Sequence, residues 1–227
     1  KQVIAHAGAQ LMTQAGQQGR HLLFEAAVAG GIPIVRALRE GVCGDRLYRI
    51  QGVLNGTCNY ILTEMEHEQV SFAEALADAQ RLGYAEADPT ADVDGFDAQA
   101  KLAILIAVGL GRIVRVEDIP LRSISSIAPV DFLYAKRLGC VIRQVASAEL
   151  IQDTGGIRAA VHLALDLGDA PGDGELSGLP EMTGEERMRA ELEILGLDAS
   201  RHVVDTYGPF LDALGATRSR DLLGQRS

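Results

Sequence analysis

Between Tyr84 and Leu105 the chain reads YAEADPTADVDGFDAQAKLAIL, and most of its chemistry-bearing side chains gather there. Asp97 and Lys101 stand four residues apart where a helix should begin, so a carboxylate and an ammonium share one helical face. Glu86, Asp88, Asp92 and Asp94 crowd the loop just before them. A lysine beside several carboxylates, followed by the apolar run LAILIAV, describes a charged site resting on a buried helix. Such a setting is where lysines that move protons are found. The simpler alternative is an exposed helix start with a surface ion pair, worth only about 0.3–0.5 kcal/mol. Spacing by itself leaves both readings open.

The elements that must position these residues follow from pattern. Gln2 to Gln18 has helical apolar spacing and stops at Gly19. His21 to Ala27 is apolar and reads as a strand. Val28-Ala29-Gly30-Gly31 is a turn, and Pro33 suits the first turn of a short helix closed by Gly41. Arg46 to Leu54 alternates as a strand does. Asn55-Gly56-Thr57 turns into a helix ending near His67. Ser71 and Glu74 form a capping box for FAEALADAQRL, which Gly83 ends. After the Lys101 helix, Ile124 to Ile127 reads as a strand, Asp131 opens a helix, and Val141–Ala148 and Ile157–Leu165 read as strands. The class predicted is α/β (α+β), a mixed sheet with helices, over residues 1–160. A Gly/Asp/Pro-rich linker (161–180) follows, then a helical tail (181–227) in which Thr183 and Glu186 make a second capping box.

Bulk properties narrow the function. The 227 residues are 47% hydrophobic, enough for a substantial core, and only 4% aromatic, so that core is aliphatic. A net charge of -10 opposes binding to a phosphate backbone, which needs clustered Lys and Arg. Cys43, Cys58 and Cys140 lack CxxC spacing and read as small core residues in a reducing cytoplasm. The histidines lack metal-site spacing, and no apolar run reaches the roughly 18 residues of a membrane span. Lys1 opens directly on helical pattern, as a piece of a longer protein does.

Three long blocks carry a resemblance. FEAAVAGGIPIV (24–35), IQGVLNGTCNYIL (50–62) and LGYAEADPTADVDGFDAQAKLAIL (82–105) resemble, in order and spacing, blocks of homoserine dehydrogenase. The resemblance covers about residues 1–160. It implies NAD(P)(H)-linked interconversion of homoserine and aspartate semialdehyde, in a cytoplasmic homodimer that binds neither nucleic acid nor membrane. By resemblance, Lys101 is the catalytic lysine and Asp97 the carboxylate that binds substrate and orients it. Glu86 holds the substrate ammonium, and Tyr84, Asp92, Gly56 and Thr57 line the same pocket. Gly83 and Lys1 lie by the NADP or NAD. Glu25, Val28, Gly30 and Ile32 match a monovalent-cation site, usually sodium, whose oxygen donors suit a hard cation. A plain Gly-rich turn is the alternative there.

The same resemblance places a Rossmann half, with its Gly-rich phosphate turn, before Lys1; this chain contains no GxGxxG. Residues from about 162 to 227 instead resemble a segment of the error-prone bacterial DNA polymerase III alpha subunit. Three functions therefore stand side by side. One is a dehydrogenase. Another is a remnant that keeps the substrate pocket without cofactor binding. The third is an interaction module derived from a polymerase.

Overall fold

The computed structural model describes residues 1–151, 154–166 and 183. All of the described helices and strands fall in the first of the chain's two units, Lys1–Gly172. The expected linker beyond residue 166, Glu186 of the second capping box and the tail helices lie outside the described residues.

Seven α-helices and three strands build a mixed helix-and-sheet fold among these residues, with five of the helices between the first strand and the second. Helix α1 (Gln2–Gln17) is rich in Ala and Gln and ends where Gly19 takes φ +61°. The Arg20 amide then reaches back to the Ala15 carbonyl at 2.8 Å, satisfying an otherwise orphaned acceptor. A short helix α2 (Ile34–Arg36) widens into a π-type turn at Ala37–Gly41. Strand β1 (Arg49–Gly52) leads into α3 (Gly56–Glu68), whose amino-terminal cap is Asn55. Helix α4 (Phe72–Arg81) carries the predicted capping box of Ser71 and Glu74. Next come α5 (Thr90–Val93), α6 (Phe96–Gly109) and α7 (Pro129–Arg137), then β2 (Val141–Leu150) and β3 (Ile157–Asp166).

The sheet runs in the order β1-β2-β3, with both pairs antiparallel. Arg49 faces Glu149, and Val145 faces His162. Leu121 adds an isolated parallel bridge to Val161 outside the named strands. The sheet itself is antiparallel throughout rather than mixed, because each described strand pairs with its neighbour in the opposite direction. Strand β3 passes through residue 160 and continues to Asp166.

Helix α6 is the axis of the structure. Nine of its residues are buried, from Asp97 through Ile106, with Lys101 half-buried among them. Its Leu102 and Ile106 pack with Ala146 and Ala148 of β2, whose small side chains let the helix lie close to the sheet. On its other side Ile104 and Leu105 meet Phe24, Val28 and Val35, with Ile4 and Met12 of α1. A second cluster joins Ile61, Leu62 and Met65 of α3 to Ala75 and Ala79 of α4 and Phe132 of α7. Each fully buried aliphatic side chain contributes about 1.5–3 kcal/mol. Arg143 of β2 ties to Glu66 of α3 at 2.9 Å.

Two predicted strands do not form. Residues 21–27 make a 3-10 turn at Glu25–Ala27 that drops Phe24 and Val28 into the core. Residues 124–127 form a tight turn in which the Ile127 amide bonds to the Ile124 carbonyl at 3.2 Å. Both isoleucines of Ile124-Ser125-Ser126-Ile127 are buried there, while the two serines between them are exposed. The cysteines also differ from expectation. Cys58 is buried, but Cys43 is exposed and Cys140 half-buried, and all three are free thiols.

Candidate active site

The site forms where β1 gives way to α3 and where α5 gives way to α6. Asp88 accepts from the Thr90 amide at 3.1 Å and its hydroxyl at 2.6 Å, which opens α5. Gly95 then takes φ +92°, reverses the chain and starts α6. The positive φ is what favours glycine there, since a Cβ at Gly95 would only come into contact with Gln144 and Val161 at 3.4 Å. Two residues later Asp97 falls in the first turn of α6, where the helix dipole favours a negative charge.

Asp97 is only 3% exposed. Its Oδ2 lies 2.8 Å from Lys101 Nζ, and its Oδ1 accepts from Lys1 Nζ. Asn55 Nδ2 donates to the same Oδ2 at 2.9 Å. Burial by itself would push the Asp97 carboxyl pKa up. The hydrogen bonds from Lys1, Lys101 and Asn55, with the nearby Lys101 charge, outweigh it and hold the pKa below the usual carboxylate range. Lys101 Nζ also donates to the Leu54 carbonyl at 2.7 Å. The ion pair is therefore not the exposed surface pair that spacing allowed.

Asp92 joins the cluster through Asn55, whose Nδ2 donates to Asp92 Oδ1 at 2.7 Å. Cys58 sits beneath, its thiol donating to the Asp92 carbonyl at 3.1 Å. Burial, then the charges of Asp92, Asp97 and Asp94, push that thiol up to about 12, so it stays protonated. Thr57 Oγ1 donates to the Tyr84 carbonyl at 2.8 Å and so fastens the start of α3 to the loop after α4. Gly56 is the first residue of α3, and Gly83 turns that loop at φ +80°. Tyr84 is exposed and packs its ring 4.8 Å from that of Tyr60. Glu86 is exposed, and among the described residues nothing pairs with its carboxylate.

Lys1, Asp92, Asp97 and Lys101 are thus one bonded cluster, flanked by Gly56, Thr57, Gly83 and Tyr84. Asn55 is the residue that sequence reasoning missed. The sequence placed it only in the turn that leads into a helix; nothing local told that its amide would reach two carboxylates.

The residues 25–32 form a separate loop that meets α6 through the packing of Val28 on Ile104 and Leu105. Glu25 accepts from the amides of Val35 at 2.8 Å and Arg36 at 3.0 Å, capping α2. Ala29 and Gly30 take φ +59° and +60°, and the Ile32 carbonyl accepts from the Ile34 amide at 2.8 Å.

Residues 33–171 match the homoserine dehydrogenase family, more than half of the chain. The chain belongs to the homoserine dehydrogenase family. The homoserine dehydrogenase of Synechocystis is 47% identical over 173 residues, which is 75% of this chain and 40% of that protein. That of Bacillus subtilis is 44% identical over 149 residues, 66% of this chain and 34% of that protein. Among solved structures, a homoserine dehydrogenase from Thiobacillus denitrificans is 42% identical with a TM-score of 0.68, covering 71% of this chain and 37% of its own. A hyperthermophilic archaeal homoserine dehydrogenase in complex with NADPH is 30% identical with a TM-score of 0.61, covering 74% of this chain and 47% of its own. The chain thus spans about two fifths of the length of the curated relatives it matches. The region matched to the family includes the α6 helix and strand β2 that packs on it.

Proposed function

We propose that this chain carries the substrate-side catalytic region of an NAD(P)-dependent homoserine dehydrogenase, acting on L-homoserine and L-aspartate 4-semialdehyde. The observation that carries this reading is the buried Asp97 held between Lys1 and Lys101, with Asn55 on its second oxygen. A buried carboxylate that holds and aims two lysine side chains is suited to a reaction in which a carbonyl oxygen gains charge.

In the reductive direction, a bound NAD(P)H would supply hydride to the aldehyde carbon. Lys101 stabilises the oxygen as it becomes negative and gives it a proton. Asp97 orients Lys101 and binds substrate with Asp92. Glu86 receives the substrate ammonium, a role its exposed carboxylate suits. Tyr84, Gly56 and Thr57 border the pocket, and Gly83 offers bare backbone beside the nicotinamide. Lys1 bonds to Asp97 and so works on the substrate side as well.

The loop at Glu25, Val28, Gly30 and Ile32 fits a sodium ion in donor type, one carboxylate and three carbonyls. Glu25 would serve the ion while still capping α2. We also assign the chain to a cytoplasmic homodimer. The likeness of residues 162–227 to a polymerase segment remains a proposal about descent.

Calorimetric titration of L-homoserine into the chain, with sodium present, tests the reading. Saturable binding that Asp97→Asn abolishes is expected; absence of binding to the unaltered chain overturns it. Because this chain spans only about two fifths of the length of the curated relatives it matches, a second reading keeps the substrate pocket here without nucleotide binding. Tight binding of NADPH to the chain would exclude that second reading.

A further inference from the structure

One amide group binds together three elements of the site. Asn55 is 4% exposed, and each of its polar side-chain atoms is engaged. Its Oδ1 accepts from the Cys58 amide at 2.8 Å and so caps α3. Its Nδ2 donates to Asp92 Oδ1 at 2.7 Å and to Asp97 Oδ2 at 2.9 Å. The preceding residue completes the arrangement, since the Leu54 carbonyl accepts from Lys101 Nζ at 2.7 Å. Residues 54 and 55 therefore hold both members of the Asp97–Lys101 pair, one by main chain and one by side chain. A primary amide has two N–H donors and one carbonyl acceptor, and this site uses all three functions. A carboxylate there would bring a third negative charge against Asp92 and Asp97. A hydroxyl would keep the cap without bridging both acids.

We propose that Asn55 is a positioning residue of the reaction, locking the carboxylates of Asp92 and Asp97, and through them the Lys101 ammonium, to the amino-terminal end of α3. This rests on the dehydrogenase reading of the site and adds to it a residue that touches no substrate. The charged and titratable groups around Asp97 are Lys1 ahead of α1, Asp92 of α5, Asp94 between α5 and α6, Lys101 of α6 and the Cys58 thiol of α3. Among the described residues Asn55 is the one uncharged side chain that donates to Asp97, so its replacement by Ser changes the carboxylate's surroundings without changing the count of charges.

The capping and positioning roles separate by substitution. Asn55→Ser and Asn55→Asp both keep an oxygen that can accept from the Cys58 amide, and both residue types cap helices well. Neither reproduces the two N–H donors. The experiment follows the Asp97 carboxyl by carbon-13 NMR over a pH titration of the full chain, with Tm measured beside it. Asn55→Ser is expected to keep a Tm close to the unaltered chain while the Asp97 midpoint moves to higher pH. Asn55→Asp moves it further. L-homoserine affinity should weaken about 10-fold or more in both variants, as expected when a binding group is displaced. An Asp97 midpoint unchanged in both variants would overturn the proposal, whatever happens to Tm. If the unaltered chain binds no homoserine, the dehydrogenase reading fails, and the Asp97 titration still decides whether Asn55 holds the carboxylate.

Discussion

Lys101 Nζ stands 2.8 Å from Asp97 Oδ2, one helical turn away on α6, and the pair is drawn into the protein rather than left on its surface. The Lys101 side chain is 19% exposed and that of Asp97 4%. Solvent therefore screens this pair far less than an ordinary i,i+4 pair. The carboxylate also carries Lys1 and Asn55, so its removal leaves buried donors with no acceptor.

Asp97→Asn should accordingly be costly. Breaking one side of a buried pair leaves uncompensated charge, and the expected loss is about 3 kcal/mol of unfolding free energy. Urea denaturation at neutral pH measures it. A loss below about 1 kcal/mol would mean that solvent reaches the pair freely.

The pH dependence has a definite sign. The Asp97 pKa is depressed in the folded chain, because the bonds from Lys1, Lys101 and Asn55 outweigh the opposing effect of burial. The unfolded chain then binds its proton more readily than the folded one. The stability Asp97 contributes is complete above the ordinary carboxylate range and is lost as pH falls through the depressed folded value. Thermal melts across that acidic range should fall more steeply for the unaltered chain than for Asp97→Asn. Parallel curves would count against this account.

Gly95→Ala tests the turn that aims Asp97. At φ +92° a Cβ is strained, and it would meet Gln144 and Val161 at 3.4 Å. A loss of about 1–3 kcal/mol is expected, with weakened homoserine binding, since Asp97 lies two residues on. Normal stability and binding would show that the α5–α6 turn has another low-energy form.

Thiol reactivity should divide the cysteines. Cys58 is buried, and its thiol is pushed up to about 12 by burial and its acidic neighbours, whereas Cys43 is exposed. An alkylating reagent at about pH 8 should label Cys43 rapidly and Cys58 only on unfolding, because the thiolate is the reacting form. Mass spectrometry of the labelled peptides gives the answer, and early labelling of Cys58 would contradict the buried site.

The cation proposal has its own signature. Sodium chloride, compared with choline chloride at equal ionic strength, should raise the Tm of the unaltered chain and leave that of Glu25→Ala unmoved. Glu25→Ala should also lose about 1 kcal/mol in either salt, because Glu25 caps α2 at the Val35 and Arg36 amides. Equal melting in the two salts would reduce Glu25 to its capping role.

Much of this arrangement is legible in the amino-acid sequence. The helix at Lys101, the capping box of Ser71 and Glu74, and the two long strands follow from period and from cap chemistry, which are local. The Asp97–Lys101 pair follows from spacing on one helix. Residues 21–27 and 124–127 mislead for a common reason. Apolar residues in a short segment record burial, and a turn pressed into the core buries them as surely as a strand does.

By itself, then, the sequence determined which residue types stood ready for chemistry, which helices and strands would carry them, and how they were spaced along each element. Only the tertiary structure decided that Lys1, 96 residues from Asp97, would share its carboxylate. It also decided that Asn55 would join two acids from α5 and α6 to the cap of α3. Those contacts depend on how α1, α3, α5 and α6 pack about one another. Packing is set by the sum of many distant apolar contacts, so no local window of the chain contains it.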